Sequence, residues 1–479
     1  MCIRDRVEEL IVRRAEGEMR IGSANDPLSK FALWVIVGIA LALVFSIYHS
    51  SYKTIIFITI GIAILCTAYA ALRLMASLIV KPRYEFNEER NSPLTWPFYT
   101  VMVPIFHEAH MVEELINGLE GLDYPADRLE ILMICEEIDP FTIAMVEKYL
   151  EPPFSLIIVP KGTPQTKPRA LNYALNHAKG DIITIYDAED IPRPNQLKKA
   201  AIAFLNNPRL GALQAPLDYR NSNQNWLTRQ FSLEYSALFH VWIPFLVTLN
   251  LPFPLGGTSN HVRFSALADT DVKGWDSYNV TEDADLAFRL AAKGWEFGYI
   301  DCPTDEEAVS SWKSWVFQRS RWMKGFLQTW IVHMRLPFKP RGLLGLKRFF
   351  VLQLTIGLTL LNAFFHLPIV LIMTYFVVRQ FVEPGPIYVP FPFIVSLRIS
   401  YLACLLSGVI GAYRAGKMRL MASAIWMPLY WWALFFPAIH ALWELGRKPF
   451  FWHKTHHGVR GRINNPNNQN TNSNYDAFG

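Results

Sequence analysis

Charge is scarce in this chain: Asp, Glu, Lys and Arg make up 18% of its 479 residues, while 51% are hydrophobic and 14% aromatic. That balance is too apolar for a wholly soluble enzyme and predicts a membrane-embedded part. Cysteine is scarce too. The five residues Cys2, Cys66, Cys135, Cys302 and Cys404 are odd in number and lack metal-type spacing, which argues against a disulfide framework and a zinc cluster. No DNA- or RNA-recognition motif is present. The net charge of +5 comes from basic residues beside apolar segments, where it bears on topology and lipid contact rather than nucleic acid. Residues 1–30 show no secretory cleavage pattern.

Long apolar runs fill the two ends of the chain. Phe31 to Ser50 has no charged residue and Thr54 to Val80 has only Arg73; each exceeds the roughly 20 residues that cross a bilayer. Two transmembrane helices are therefore expected over 31–80, with Lys81 and Arg83 keeping the following region in the cytosol. Apolar sequence returns over 349–446 as three or four spans. The interruption His366-Leu367-Pro368 leaves open one kinked span or a tight pair, and charge counting favours the pair. A basic, then Asn-rich tail follows over 447–479. Two further apolar segments, Trp226 to Leu249 and Trp312 to Met334, carry charges and read as interfacial or core helices.

Between 97 and 335 short apolar runs alternate with amphipathic stretches. Strands are predicted at Phe98 to Pro104, Leu129 to Cys135, Leu156 to Pro160, Ile182 to Asp187, Gly211 to Ala215 and Phe297 to Asp301, with helices between them. This alternation predicts an α/β domain with a mostly parallel sheet. Its chemistry-bearing residues fall at strand ends, where open α/β sheets bind ligands. Asp187, Glu189 and Asp190 close one strand; hard oxygen ligands there suit Mg²⁺ or Mn²⁺ with a diphosphate, although an acidic turn could equally cap the helix starting near Pro194. Cys135-Glu136-Glu137-Ile138-Asp139 closes another, supplying carboxylates for nucleoside N–H and hydroxyl groups. Lys167 and Arg169 open a helix just before the acidic strand, placed to neutralise a diphosphate or simply to be solvated. Downstream, Thr281-Glu282-Asp283 adds a second acidic cluster able to supply a base. Finally, Gln318-Arg319-Ser320-Arg321-Trp322 offers a guanidinium and an indole, for a sugar or for the membrane interface.

Taken in order, VPIFHE, EEID, KPRALN, YDAED, GGTSNH, TEDAD and QRSRW resemble the inverting family 2 glycosyltransferases, in particular the cellulose-synthase-like branch of bacterial membrane β-glycan synthases. The resemblance spans about 97–335. It implies a GT-A type nucleotide-sugar-binding domain inserted between transmembrane helices, in the plasma (inner) membrane with the catalytic domain cytosolic. It assigns Asp283 as catalytic base. Glu136, Asp139, Lys167, Asp187 and Arg321 would contact the nucleotide sugar. Asp187 with Glu189 or Asp190 would hold a divalent cation. Gly257, Thr258, Ser259, Asn260, Glu282, Gln318 and Trp322 would face the acceptor or product. The expected activity is processive transfer of glucose from UDP-glucose to a growing β-glycan, coupled to export and open to helper subunits. GDP-mannose and UDP-N-acetylglucosamine are alternative donors, and single transfer to a lipid acceptor is the alternative reaction. An inactive scaffold or a transporter fits the intact acidic clusters poorly.

Overall fold

A computed structural model of the chain describes residues 22–25, 30–79, 95–269, 271–336, 342–382 and 391–450. Most of the N-terminal segment, the Lys81 and Arg83 flank and the tail from 451 lie outside the described residues. The apolar runs of the middle region form strands β1 (Tyr99–Ile105), β2 (Leu129–Glu136), β3 (Phe154–Val159) and β4 (Ile182–Ile185). Every residue of β2 is buried, as a strand covered on both faces requires. The remaining strands are β5 (Ile191–Pro192), β6 (Leu210–Gln214), β7 (Leu217–Tyr219), β8 (Asn260–Arg263), β9 (Glu296–Tyr299) and β10 (Thr304–Glu306).

Seven of these strands make one sheet in the order β3-β2-β1-β4-β8-β6-β9, and β5-β10-β7 make a small second one. In the large sheet all pairings are parallel apart from those of β8, which runs against β4 and β6. Alternate side chains sort to opposite faces. Met102, Leu132, Ile134 and Ile183 join one core with the helices Lys167–Leu175 and Glu282–Ala292. Val101, Val103, Ile131 and Met133 join the other with Val112–Glu120 and Gln196–Asn206. Each such large side chain contributes about 1.5–3 kcal/mol on burial. The register aligns the strand exits, with Ile105 opposite Cys135 and Glu136 opposite Val159. Because β8 is antiparallel, its first residues lie at the same edge, with His261 opposite Thr184. The loop ahead of β8 therefore lies beside the acidic turn that follows β4.

The sequence pattern does not predict β8, β5, β7 or β10. Charge counting favours a helix pair around His366 to Pro368. Instead Leu358–Val382 is one helix that runs through Pro368, continuing a π-turn at Gln353–Gly357. At the other end, Lys30–Leu78 breaks at Ser50, whose φ of −160° and ψ of 88° are extended. The turn there is sharp: the hydroxyls of Ser46 and Thr54 meet at 2.7 Å.

Among the described residues, five helical stretches are long and apolar enough to cross a membrane: Ile60–Leu78, Trp226–Thr248, Leu343–Arg379, Phe391–Arg414 and Met418–Arg447. Most of Trp226–Thr248 is buried inside the protein. Both ends of Met418–Arg447 touch the α/β region. Just before it, Lys417 donates to the Tyr219 carbonyl of β7 at 3.0 Å and pairs with Asp218. At its far end, Lys324 and Gln328 of the helix Trp312–Met334 reach Glu444 at 2.9 Å and the Pro449 carbonyl at 3.0 Å.

Candidate active site

The turn after β4 is held by a carboxylate from within. Asp190 accepts from the Asp187 N–H at 2.6 Å and from the Thr258 hydroxyl, and only 1% of it is exposed. Burial, reinforced by Asp187 and Glu189, pushes its carboxyl well above the usual range. Asp190 thus faces inward, while Asp187 and Glu189 line the cavity in front of the turn. Against Asp187 lies Lys167, at the start of Lys167–Leu175; its ammonium pairs with that carboxylate and donates to the Gly257 carbonyl at 2.9 Å. Burial alone would lower the lysine's pKa, but Asp187 and then Glu282 raise it overall.

A cavity of about 850 Å³ brings together Asp187, Glu189, Lys167, Asp283, Arg321 and Trp322. Gln318, Glu282, Gly257 and Thr258 line it as well. Asp283 sits in the first turn of Glu282–Ala292, close to the loop before β8: a methyl group at Gly257 would lie 3.5 Å from Asp283 Oδ2 and 3.9 Å from Lys167 Nζ. Burial, and next the neighbouring Glu282, push the Asp283 carboxyl up to about 7. A carboxylate poised near neutrality is suited to take a proton. Arg321, whose pKa is lowered by burial, also lines an adjoining space of about 120 Å³ with Pro104, Phe106, Glu136, Lys167 and Asp187. Glu136, which lines that space, lies 3.4 Å from the Arg169 guanidinium.

Three expected site residues are elsewhere. Asp139 caps the helix Pro140–Val146 by accepting from Thr142 N–H at 3.2 Å, and accepts from His107 N–H at 2.5 Å. Those bonds outweigh burial and hold its carboxyl below the usual range. Ser259 and Asn260 belong to the loop's own scaffold: Ser259 Oγ donates to Thr304 Oγ1 at 2.6 Å and Asn260 Nδ2 to the Gly256 carbonyl at 2.6 Å.

Conversely, Glu306 of β10 lines the large cavity although nothing in the sequence reading selected it. Burial, then Asp190, Glu189 and Asp187, raise its carboxyl well above the ordinary range. The run Asp305-Glu306-Glu307 was the available signal.

The helix Trp312–Met334 positions the rest. Arg319 makes a bidentate pair with Glu234, one arm at 3.0 Å, and donates to Tyr430 at 2.6 Å. It therefore braces the helix, and its neighbour Arg321 faces the cavity. Trp322 stacks on Tyr235, ring centroids 6.3 Å apart. Two turns on, Thr329 accepts from Asn279 at 2.9 Å and Gln328 from Val280 N–H at 3.1 Å, so the same helix holds the strand of chain leading to Glu282 and Asp283.

The carboxylates fit a divalent cation only as part of a donor complex. Among the described residues no group of three or more His, Cys, Asp or Glu could hold a metal ion by itself. Asp187 and Glu189 offer hard oxygens beside a lysine that suits phosphate, so diphosphate and water must complete the shell, as Mg²⁺ sites with phosphate substrates commonly do.

A mostly parallel sheet with a cation-flanked acidic turn at its carboxyl edge is the GT-A-type glycosyltransferase fold. Residues 182–443 match glycosyl transferase family group 2, and the chain belongs to that family. A β-monoglucosyldiacylglycerol synthase from Synechocystis sp. is 28% identical over 247 residues, 51% of this chain and 51% of the relative. Glucomannan 4-β-mannosyltransferase 2 from Arabidopsis thaliana is 27% identical over 256 residues, 51% of this chain and 48% of the relative. The chain thus spans about half the length of the curated relatives it matches. Among solved structures, mannosyltransferase PcManGT from Pyrobaculum calidifontis, in complex with GDP-Man and Mn²⁺, superposes with a TM-score of 0.51 at 19% identity. It covers 82% of this chain and 98% of its own, which shows the shared fold.

Proposed function

We propose that this protein is a membrane-bound inverting hexosyltransferase that moves a sugar from a nucleoside diphosphate to an acceptor hydroxyl held where its cavity meets the bilayer. The observation that carries this reading is Asp283, a carboxyl pushed up to about 7, on the same cavity wall as the Lys167–Asp187 pair and Arg321. The nucleoside would lie against Pro104, Phe106 and Glu136, and the diphosphate between Lys167 and Arg321. Asp187 and Glu189 would hold a divalent cation, Mg²⁺ or Mn²⁺, which when bound neutralises charge on the diphosphate.

Asp283 takes the proton of the acceptor hydroxyl. The acceptor oxygen bonds to the anomeric carbon from the face opposite the diphosphate. The bond from that carbon to the phosphate oxygen breaks, its electron pair leaving with the diphosphate, where Lys167 and Arg321 balance the charge. One displacement turns an α-linked donor into a β-linked product. UDP-glucose is the donor expected from the sequence resemblance, and the mannosyl-transferring relatives keep GDP-mannose as the alternative. Incubating the purified protein with each labelled nucleotide sugar, with and without chelator, tests the reading. No transfer and no donor hydrolysis with any nucleotide sugar would refute it.

Two acceptors fit this chemistry. The QRSRW segment and the cellulose-synthase-like resemblance favour a growing β-glycan that is extended processively and exported. The cavity wall favours the second, a membrane lipid. Polar groups in the membrane-side wall are spent on the protein itself: Thr355 and Thr359 donate to the Val351 and Thr355 carbonyls at 2.7 and 2.6 Å, Ser400 to the Cys66 carbonyl at 2.7 Å, and His366 pairs with Tyr401. Apart from Asn362, the Arg73 guanidinium and one buried ring nitrogen of His366, that wall offers a sugar chain little to hydrogen-bond and an acyl chain much to cover. Product size on a lipid extract decides between them.

For topology, the shared location of the two ends of Met418–Arg447 supports an interfacial segment over a crossing. Ile425, Trp426, Phe436 and Trp443 are 51–70% exposed along it, a face that suits the headgroup boundary. Four crossings then keep the arginine-rich N-terminal flank and the basic tail with the catalytic domain in the cytosol, at an inner membrane.

A further inference from the structure

The membrane-side half of the cavity contains a charge that the transfer chemistry does not use. Arg73 lies five residues before the end of Lys30–Leu78 that leads into the α/β region, about 8 Å along the helix axis. An arginine so placed ordinarily extends toward the water at the helix end. Arg73 points the other way. Its Nε and Nη2 donate to the Tyr69 hydroxyl at 2.8 and 2.5 Å, one turn back toward the middle of the helix. The guanidinium lies 4.5 Å from the centre of the Trp242 ring. Arg73, Tyr69 and Trp242 all line the large cavity.

None of the described carboxylates forms an ion pair with Arg73; its partners are the phenol and the two rings. Glu234, the carboxylate on the same wall, is committed to Arg319 and also accepts from Tyr430 at 2.9 Å. A guanidinium at membrane depth is costly unless an anion completes it, and only two of its five N–H donors are used by Tyr69. About 8 Å from the helix end, the guanidinium is within reach of a lipid phosphate, and the leaflet facing the cytosol is the one enriched in anionic lipid.

We propose that Arg73 and Tyr69 form a subsite for the phosphate of an anionic lipid, which is the acceptor: its chains lie along the aliphatic wall of Ile62, Leu65, Leu361 and Ile369, and its free hydroxyl reaches Asp283. This rests on the lipid-acceptor version of the transfer reading. It also differs from transfer to a neutral diacylglycerol, which has a hydroxyl and no phosphate for Arg73.

The test uses the full-length protein in phosphatidylcholine vesicles that carry a minority of either phosphatidylglycerol or diacylglycerol. Labelled UDP-glucose and GDP-mannose are supplied and the lipids extracted. Label should pass preferentially to phosphatidylglycerol. Arg73→Gln should raise the apparent KM for phosphatidylglycerol about ten- to a hundred-fold, the range of one charged hydrogen-bonded contact, with a much smaller fall in kcat. Arg73→Lys should restore part of the loss, and Tyr69→Phe should give a smaller change with the same selectivity. Equal transfer to both lipids, or an unchanged KM in Arg73→Gln, overturns the proposal, as does inorganic phosphate that competes as well as phosphatidylglycerol does. If donor is consumed but only glycan is made, the lipid-acceptor reading fails while the transferase reading stands. Native mass spectrometry then decides the subsite: retention of phosphatidylglycerol over phosphatidylcholine by the wild type and not by Arg73→Gln upholds it, and equal retention overturns it.

Discussion

Replacing Asp283 by Asn removes the proposed base while keeping the size and most of the hydrogen bonding of the side chain. General-base catalysis contributes about 10²–10⁴-fold, which is about 3–5 kcal/mol of barrier, so kcat should fall within that range. Affinity for the nucleoside diphosphate, read by titration calorimetry, should stay close to wild type, because the proposed donor contacts are Lys167 and Arg321. The pH profile carries the sharper test. The active form is the carboxylate, and burial together with Glu282 holds the group up to about 7. Wild-type kcat/KM should therefore rise with pH through about 7 and level off above it. In Asp283→Asn that limb should vanish. Glu282→Gln removes the nearer of the two causes and should move the limb to lower pH. The base assignment is refuted if Asp283→Asn loses binding and turnover equally, or if its residual rate keeps the wild-type limb, in which case Glu282 is the base.

Other expectations are as direct. Glu189→Gln should raise the Mg²⁺ or Mn²⁺ concentration needed for half-maximal donor binding, whereas Asp190→Ala should leave that requirement and instead lower the thermal midpoint, since it strands the Asp187 N–H at about 1–3 kcal/mol and leaves the Thr258 hydroxyl only the Ile185 carbonyl; the reverse pattern would exchange the two roles. Gly325→Ala places a methyl 2.4 Å from the Thr281 side chain, and overpacking of about 1–3 kcal/mol should push the start of Glu282–Ala292 away, lowering kcat more than donor affinity; unchanged turnover would show that Trp312–Met334 does not set the base. Arg419→Cys and Gly446→Cys, exposed positions at the two ends of the segment Met418–Arg447, should label from the same side of sealed inverted vesicles. Labelling from opposite sides would make the segment a crossing.

The parts of the fold set by local pattern were legible in advance. The run Leu129–Glu136 is apolar apart from Glu130 and Glu136 and matches its predicted bounds to within a residue, and the acidic turn at Asp187 and the Glu282-Asp283 pair stand out as carboxylates abutting apolar segments. The parts set by distant partners were not. Asn260–Arg263 reads as polar, yet it is an inner strand whose backbone pairs with β4 and β6 and whose His261 Nδ1 lies 2.6 Å from the Tyr99 hydroxyl across the sheet. The inward turn of Asp190 depends on Thr258, 68 positions away. Glu306 comes to the cavity only because the three-residue β10 pairs with β5 and β7. Pro368 misled for the opposite reason: its local rule is helix breaking, and Leu358–Val382 nevertheless continues through it.

The excursion between β7 and β8 has a practical consequence. Residues 220–259 leave one strand and return to another, and on the way they supply Trp226–Thr248, the bidentate partner of Arg319, and the loop that carries Gly257 and Thr258. The contact between the α/β region and the apolar helices is thus made in part by an internal insertion in the α/β region, with no cut point between the two. Trimming both ends of the chain to residues 95–336 would expose the flank of Trp226–Ala237 that now lies against Phe391–Arg414, so a truncated catalytic domain should aggregate rather than dissolve. A soluble version calls for redesigning the outward face of that insertion.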